Sequence, residues 1–465
     1  MTRQNIINNL IKTYGYKSYL EIGLNNPEYN YVHIQCEHKE SVDPYNGGNY
    51  YDSNNLPQSI LDNLTYRMTS DEMFNILPSN KKYDIIFIDG LHEYKQVARD
   101  IVNSFKHLNI NGKIIIHDTL PTSYESSLDE FPTKHIAWYG SVYKTIMQLS
   151  KIAPIFYTVE RMDDEEGLTI VDYFVDCDKI AFEPQDTTYA EYEKNKIKQM
   201  RIIDEETFKK LFFDDLKLFE IGHKEWSLHN QMAIPLQVSS AFNDDNICSL
   251  KDNLGIEISS LNKLYCELTG IYWIWKNALN NGKYIGQYTY RRPFMIENDF
   301  SFERVFRNYD IIVPNKMYFD ETVYEQYGLY HNIKDIDTIF DIIMVEYPDY
   351  IKDIELFKKQ KYLYNSNGFI MKAEDYSKYC DFLFNVLFKW QEKMNIYTIS
   401  DMDDYVNKQH TLGLYHFFGE DEKEACINYQ RRAIGFLSER IFNIYLNHNF
   451  NKIFHIPYFL TETEY

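Results

Sequence analysis

The sequence predicts an α/β protein of two domains, the first built on a doubly wound, mostly parallel sheet. Three observations carry that prediction. At 465 residues the chain exceeds what one ordinary core accommodates. The stretch 82–118, KYDIIFIDGLHEYKQVARDIVNSFKHLNINGKIIIHD, reads as strand, helix, strand. The strand-like runs in it, after Asp84 and after Gly112, are apolar throughout instead of alternating, which requires cover on both faces.

Taken in order, Ile6 to Ile11 has the spacing of the end of a short helix, and Ser18 to Ile22 reads as a strand closing on Gly23. A glycine at the first strand's end permits a tight turn and close approach of backbone to a ligand. SVDP places Asp43 at the end of a second strand, where an acidic side chain can accept both hydroxyls of a ribose. The third strand breaks at Asp89-Gly90. Helical period then runs through Tyr94, Val97, Ile101, Val102, Phe105 and Leu108. A turn is expected at Asn111-Gly112 before the strand that ends on His117-Asp118. In such sheets ligands sit beyond the carboxyl ends of the strands, which is where Asp89, His92, His117 and Asp118 fall. His92 or His117 can act as a base near neutrality, and Asp89 with Asp118 can hold a divalent cation.

The stretch 186–215 is rich in charge and has no glycine, so it reads as a charged helical linker with a helix from Tyr189 to Met200. That gives domains 1–185 and 216–465 on either side. In the second, Leu216 to Ile221 and IPLQVSSAF read as strands. Ser259 or Ser260 can cap a helix through Leu264, Leu268, Ile271, Tyr272 and Trp275 that stops near Asn277. YIGQYTYRRPF is a strand ending in Arg291-Arg292, two permanently charged forks suited to a diphosphate. Glu267 and Glu439 are candidate acceptor-activating bases, with structural ion pairs an equal alternative. Asp401-Met402-Asp403-Asp404 has no apolar strand before it and reads as a solvated loop.

Composition narrows the classes. A net charge of -21 argues against nucleic acid or an anionic membrane surface as the main partner. Six scattered cysteines without a CxxC pair fit reduced thiols, and neither a signal peptide nor a membrane-spanning run is evident. A cytoplasmic protein is expected, with peripheral attachment to the inner membrane left open.

Two resemblances sharpen this. YLEIG, SVDP, TSDEMF, FIDGLHEYKQVARDI, NGKIIIHD and GSVYKTI resemble the successive motifs of class I S-adenosylmethionine-dependent methyltransferases, over residues 1 to about 180. The resemblance implies a Rossmann-like seven-stranded sheet whose last strand, Leu168 to Phe174, runs antiparallel. It implies that Glu21 and Gly23 line the methionine and ribose of the cofactor, Asp43 its ribose hydroxyls and Ser70-Asp71 its adenine edge, with Asp89 facing the transferred methyl. The chain departs from many members by Leu24-Asn25-Asn26-Pro27 after the first glycine, and a non-catalytic docking domain is the alternative.

ELTGIYWIWKN, YIGQYTYRRPF, YDIIVP, TVYEQY, NSNGFIMK, DFLFNVLF and GFLSERIFNIYL resemble a capsular-polysaccharide glycosyltransferase domain family, originally catalogued as a domain of unknown function. That implies a glycosyltransferase A-like α/β domain binding a nucleotide-sugar donor, a UDP-sugar with UDP-galactofuranose among the candidates, through Tyr290, Arg291, Arg292 and Asn367. Thr289 stands where the family has histidine. Together the resemblances imply a bifunctional transferase of bacterial surface-glycan assembly, acting on small-molecule or lipid-linked glycans alongside other glycan enzymes. The alternative from a different class is a non-enzymatic scaffold.

Overall fold

The computed structural model describes residues 1–45, 55–131, 137–152, 155–160, 167–173, 181–182, 187–243, 245, 247–279, 282–297, 300–415 and 422–461. The chain divides into two compact units, Met1–Phe213 and Asp214–Tyr465.

The first unit holds seven strands: β1 Ser18–Ile22, β2 His38–Val42, β3 Tyr83–Ile88, β4 Leu108–Ile116, β5 Phe156–Val159, β6 Leu168–Asp172 and β7 Ile202–Ile203. Their order across the sheet is β2-β1-β3-β4-β6-β5-β7. The β2-β1-β3-β4 run is parallel, β6 is antiparallel to both β4 and β5, and β7 is parallel to β5. Leu20, Ile22, Ile86, Ile88, Ile114 and Ile116 share a core with Val97, Ile101 and Phe105 of the helix Tyr94–Lys106 and Val142 and Ile146 of the helix Val142–Ile152. The alternate residues Tyr19, Ile85, Phe87 and Ile115 are equally buried on the opposite face, so the uninterrupted apolar runs do mark strands covered on both sides.

Three expectations are corrected. The Asn111-Gly112 turn lies inside β4, which already starts at Leu108; Asn111 takes φ 67° and the register with β3 shifts between Tyr83 and Ile85, a bulge. The antiparallel strand is the sixth in chain order, between β4 and β5. The seventh comes from the stretch read as a linker. There β7 extends the outer edge of β5, and Phe208, Leu211 and Phe212 of the helix Glu205–Phe213 are buried. Apart from the buried Arg201, the many charges of 187–215 are mostly on the solvated sides of the segment, and they hid the few apolar residues that fasten it to the sheet.

The second unit has a six-stranded sheet of β8 Leu216–Gly222, β9 Ala233–Gln237, β10 Tyr284–Thr289, β11 Ile311–Pro314, β14 Phe369–Lys372 and β15 Ile453–Ile456. A small ribbon pairs β12 Met317–Tyr318 with β13 Tyr362–Leu363. The main order is β15-β11-β14-β10-β8-β9, with β14 antiparallel to its neighbours β10 and β11 and the other pairs parallel. The single helix expected after Ser259 is in fact broken. A short helix Asn262–Tyr265 stops at Cys266, which has φ 51° and ψ -130°, and a second runs from Leu268 to Asn277. Ser259 does not cap; its hydroxyl donates to Asp252. Asp401 to Asp404 are not a loop. They lie in the helix Ile399–Thr411, where Asp401 closes a capping box with Thr398 and Asp403 pairs with Arg431. No helix among the described residues is long and apolar enough to cross a membrane.

Gly23, directly after β1, has φ 91°, and a Cβ there would lie 2.1 Å from the carbonyl oxygen of Asp89. The ends of β1 and β3 approach too closely for any side chain. Gly23→Ala is expected to destabilise the first unit by about 2–4 kcal/mol. Hydrogen exchange of β1 and β3 amides along a urea titration measures this, and an unchanged midpoint contradicts the close packing.

Candidate functional site

Four neighbouring parallel strands of the first unit end together, and each delivers a polar residue: Glu21 and Gly23 from β1, Asp43 from β2, Asp89 from β3, His117 and Asp118 from β4. His117 Nδ1 lies 3.2 Å from Asp89 Oδ1 and 3.2 Å from Asp118 Oδ2. His92, four residues past β3, brings Nε2 to 3.1 Å from Asp118 Oδ2 and 3.7 Å from Asp89 Oδ1. Its Nδ1 meets the Trp138 carbonyl at 3.0 Å. Arg3 Nη1 donates to Asp89 Oδ2 at 3.0 Å. Asp118 is a non-glycine residue at φ 56°, a conformation held by its surroundings.

The charges reinforce one another. Burial alone would raise the Asp89 carboxyl, but His117, His92 and Arg3 hold it well below the usual carboxylate range. Burial alone would lower both histidines, but Asp118 and Asp89 raise them, His117 strongly. Both rings therefore act as donors to the carboxylates, not as free bases. Asp89, His92 and Asp118 offer ligand atoms within 4.8 Å of one another, the spacing of a cation site. An ion there would displace contacts already made by His117 and Arg3.

Glu21 is buried, accepts from the Tyr19 hydroxyl and from Asn30 Nδ2, and burial pushes it up to about 7 against those hydrogen bonds. Asp43 accepts from the backbone N–H of Asn25 and of Tyr45, both at 2.9 Å; burial raises its carboxyl more than these bonds lower it. Asn25 sits at φ 42°, so an asparagine occupies the left-handed position after Gly23. Its Oδ1 is buried with no partner among the described residues. Ser70 and Asp71 open the helix Ser70–Ile76, but their side chains are engaged internally, Ser70 with Asp100 at 2.6 Å and Asp71 with Arg99 at 3.0 Å.

In the second unit a cavity of about 940 Å³ opens at the carboxyl ends of β8 and β10. Tyr290, Arg291, Arg292, Glu267 and Glu439 all line it, although they come from three distant parts of the sequence. The break at Cys266 turns Glu267 into this space. Asn367 is different: at 1% exposure it lies behind the wall, and its amide donates to Glu267 Oε1 and to Ser438 Oγ, each at 2.9 Å. Glu439 accepts from Ser366 N–H at 2.6 Å and from Arg440 Nη1 at 3.0 Å. Burial raises the Glu267 carboxyl, with Glu439 adding to the rise and Asn367 opposing it.

Lys263, His223, Arg432 and Arg440 also line the cavity and were not singled out in the sequence. A signal for two of them exists. Arg432, Phe436 and Arg440 recur every four residues, one face of the helix Ala433–Asn449 and the residue that precedes it. Among the described residues Arg291, Arg292 and Lys263 have no ion-pair partner. Burial, then Arg291, Lys224 and Arg432, push His223 down to about 4, the mark of a positive local field.

With this geometry in place, the comparisons divide along the same line. Residues 22–119 match the family model described as a methyltransferase domain, and residues 217–411 match the domain of unknown function DUF4422. The first unit thus carries a methyltransferase domain. No curated protein matches the chain. Among solved structures, WbbM, a bifunctional glycosyltransferase, aligns at 23% identity over 54% of this chain and 46% of its own, TM-score 0.42, so less than half of WbbM is spanned. An O-methyltransferase from Bacillus cereus in complex with SAH aligns at 12% identity over 37% of this chain and 80% of its own, TM-score 0.28. TomG from Streptomyces achromogenes, an O-methyltransferase in complex with SAM, aligns at 9% identity over 37% and 79%, TM-score 0.28.

His331 of the cavity wall is buried, donates from Nδ1 to Gln430 Oε1 at 2.8 Å, and stacks on Tyr429. Burial and the nearby Arg440 push it from 6.5 down to about 3. A depressed folded-state pKa contributes stability above the unfolded value that is lost as pH falls. The second unit should therefore lose about 1.4 kcal/mol per pH unit from this group as pH falls from 6.5 towards about 3. His331→Gln should flatten that slope in urea titrations at successive pH values, and an identical slope would remove His331 as its source.

Proposed function

We propose that the chain is a bifunctional transferase of bacterial surface-glycan biosynthesis. The first unit methylates a sugar or glycan intermediate with S-adenosylmethionine, and the second transfers a sugar from a nucleotide-sugar donor. The observation that carries the second half is the positive wall of the 940 Å³ cavity, in which Arg291, Arg292 and Lys263 have no ion-pair partner among the described residues, in a chain of net charge -21. Uncompensated arginines are retained where an anion will meet them, and a diphosphate is the anion that two forks on one loop suit. UDP-sugars, UDP-galactofuranose included, are the donors this reading favours, with charge on the leaving diphosphate offset by Arg291, Arg292, Arg432 and Lys263.

The two acids divide their roles. Both Glu439 oxygens are held, one by a backbone N–H and one by Arg440, whereas Asn367 holds one oxygen of Glu267. Glu267, with the raised carboxyl, is the acceptor-activating base, and Glu439 fixes Arg440. Asn367 positions Glu267 from behind instead of touching the donor.

For the first unit, Asp43 and the orphaned Asn25 Oδ1 beside it suit the hydroxyls of a ribose, and Asp89 and Asp118 flank the position of the methyl acceptor. S-adenosylmethionine would supply the electrophilic methyl, while these residues bind, orient and exclude water. A second reading treats the unit as a docking domain. It is favoured by the Asp43 oxygens being engaged by Asn25 and Tyr45 and by Arg3 lying on Asp89. Both proposed donors are cytoplasmic metabolites, so the cytoplasm is the compartment this reading favours.

Calorimetry separates these readings. The intact chain should bind S-adenosylmethionine and UDP independently. Asp43→Ala should abolish the first and leave the second. Arg291→Ala or Arg432→Ala should weaken UDP about tenfold or more, the loss of one charge-assisted hydrogen bond. Absence of S-adenosylmethionine binding leaves the docking reading, and UDP affinity indifferent to both arginines removes the donor site.

A further inference from the structure

The β12–β13 ribbon supplies one wall of the 940 Å³ cavity, and this wall differs from the arginine side. Met317 pairs with Leu363 across the ribbon, Phe319 N–H donates to the Lys361 carbonyl at 2.9 Å, and Met317, Phe319, Leu363 and Asn365 line the cavity. None of these four side chains is charged. The ribbon's own lysines are engaged outside the lining, Lys316 over the Tyr362 ring and Lys361 on the Asp320 carbonyl. Two charges border the wall, Glu439 through Ser366 and Arg440 through Gln326, and they offset one another at 3.0 Å.

Asn365 is only 4% exposed. Its Nδ2 donates to the Met317 sulfur at 3.5 Å, and a thioether only accepts, so the amide oxygen is the end turned away. That Oδ1 is buried and has no hydrogen-bond partner among the described residues, at a cost of about 1–3 kcal/mol. The backbone cannot move to relieve it. The Asn443 amide holds both the N–H and the carbonyl of Tyr364, Glu439 holds the Ser366 N–H, and Gln287 holds the Asn367 carbonyl. The side chain can turn: the sulfur contact is weak, and the terminal amide torsion is soft. Asn367 Oδ1 is also without a partner, but it lies behind the wall, whereas Asn365 lines the cavity.

A bare carbonyl oxygen selects its ligand, because it can only accept. An ionised phosphate has no hydrogen to give it, so the diphosphate belongs with the arginines and not here. A hydroxyl donates and accepts, and this wall meets both needs. Gln326 gives its Oε1 to Arg440 Nη2 at 2.9 Å, which leaves its Nε2 hydrogens for a ligand oxygen, and Arg440 Nε is a further donor without a partner among the described residues. Met317 and Phe319 are partly exposed beside these groups and offer apolar surface to the C–H face of a ring. Hydroxyls and a C–H face together describe a sugar.

We propose that Asn365, with Gln326 and the apolar surface of Met317, Phe319 and Leu363, forms the sugar subsite of the second cavity, where Asn365 Oδ1 accepts from a hydroxyl of a hexose ring. The ring comes from the nucleotide-sugar donor or from the acceptor glycan, which present the same chemistry to this wall. This rests on the sugar-transfer reading of the unit, and the test separates the two.

Saturation-transfer difference NMR of the full chain is recorded with UDP-galactose, UDP-galactofuranose and UDP-glucose, and separately with methyl hexopyranosides in the presence of UDP. Hexose C–H signals from a nucleotide sugar assign the subsite to the donor, and signals from a methyl glycoside assign it to the acceptor. In either case Asn365→Leu and Phe319→Ala should reduce the hexose signals at least fivefold relative to the uridine signals of the same sample. Phe319 is partly exposed, so its variant decides the matter if Asn365→Leu does not fold. Hexose signals that ignore both residues, hexose and uridine signals that fall together in Phe319→Ala, or no hexose signal from any probe overturn the proposal. Uridine signals accompanied by hexose signals indifferent to both residues remove the subsite alone. Methyl glycoside signals that depend on Asn365 or Phe319 in a chain giving no uridine signal uphold the subsite and remove the nucleotide donor.

Discussion

A parallel strand covered on both faces has no inexpensive place for a charged side chain except its ends. In β3 the residues Ile85 to Ile88 are buried on both sides, and the first charge after them, Asp89, stands where the covering stops. β2 and β4 repeat the pattern with Asp43 and His117-Asp118, whereas β1 buries Glu21 one residue before its end, held by Tyr19 and Asn30. Because the four strands are parallel and adjacent, their ends coincide, and charges from positions far apart in the sequence come within 4 Å of one another. The mutual neutralisation of Asp89, Asp118, His92, His117 and Arg3 follows from that crowding. An isolated carboxylate so buried would be protonated, whereas this one is held ionised by the donors around it.

In the second unit the same constraint is met with backbone strain. Glu267 reaches the cavity because the helix breaks at Cys266 in a conformation that L-residues rarely adopt, and Ser366 and Asn367 hold the two acids from a loop at φ 64° and 50°. Strain of this kind costs on the order of 1–3 kcal/mol per residue and persists only where packing enforces it. Its concentration around one pair of carboxylates, opposite a wall of arginines, is what separates this cavity from an accidental hollow.

Much of this was legible in the sequence because it rests on local pattern. The apolar runs gave β1, β3 and the end of β4, the polar terminators gave Asp43, Asp89 and Asp118, and Arg291-Arg292, expected at a strand's end and found just past β10, marked the second cavity. What was not legible depends on long-range contact. Nothing local says that Ile202–Ile203 completes a sheet begun at Ser18, so 186–215 was read as a linker from its charge. Cys266 carries no turn signal, because its conformation is imposed by the packing around it. Asn367 lies behind the cavity wall and supports Glu267 instead of lining the cavity. Ser70 and Asp71 open the right helix, yet Asp100 and Arg99 take up their side chains. Arg432 and Arg440 showed helical spacing, but only the fold reveals which face meets Glu267.

The central claim is that one chain carries two separate transfer sites. Mass spectrometry of the surface polysaccharide from cells producing the wild-type chain, the Asp89→Asn variant or the Arg291→Ala, Arg432→Ala variant tests it most directly. The account predicts a polysaccharide that lacks a methyl group in the first variant and a sugar residue in the second. An unchanged polysaccharide in both would contradict it and leave the chain as a scaffold.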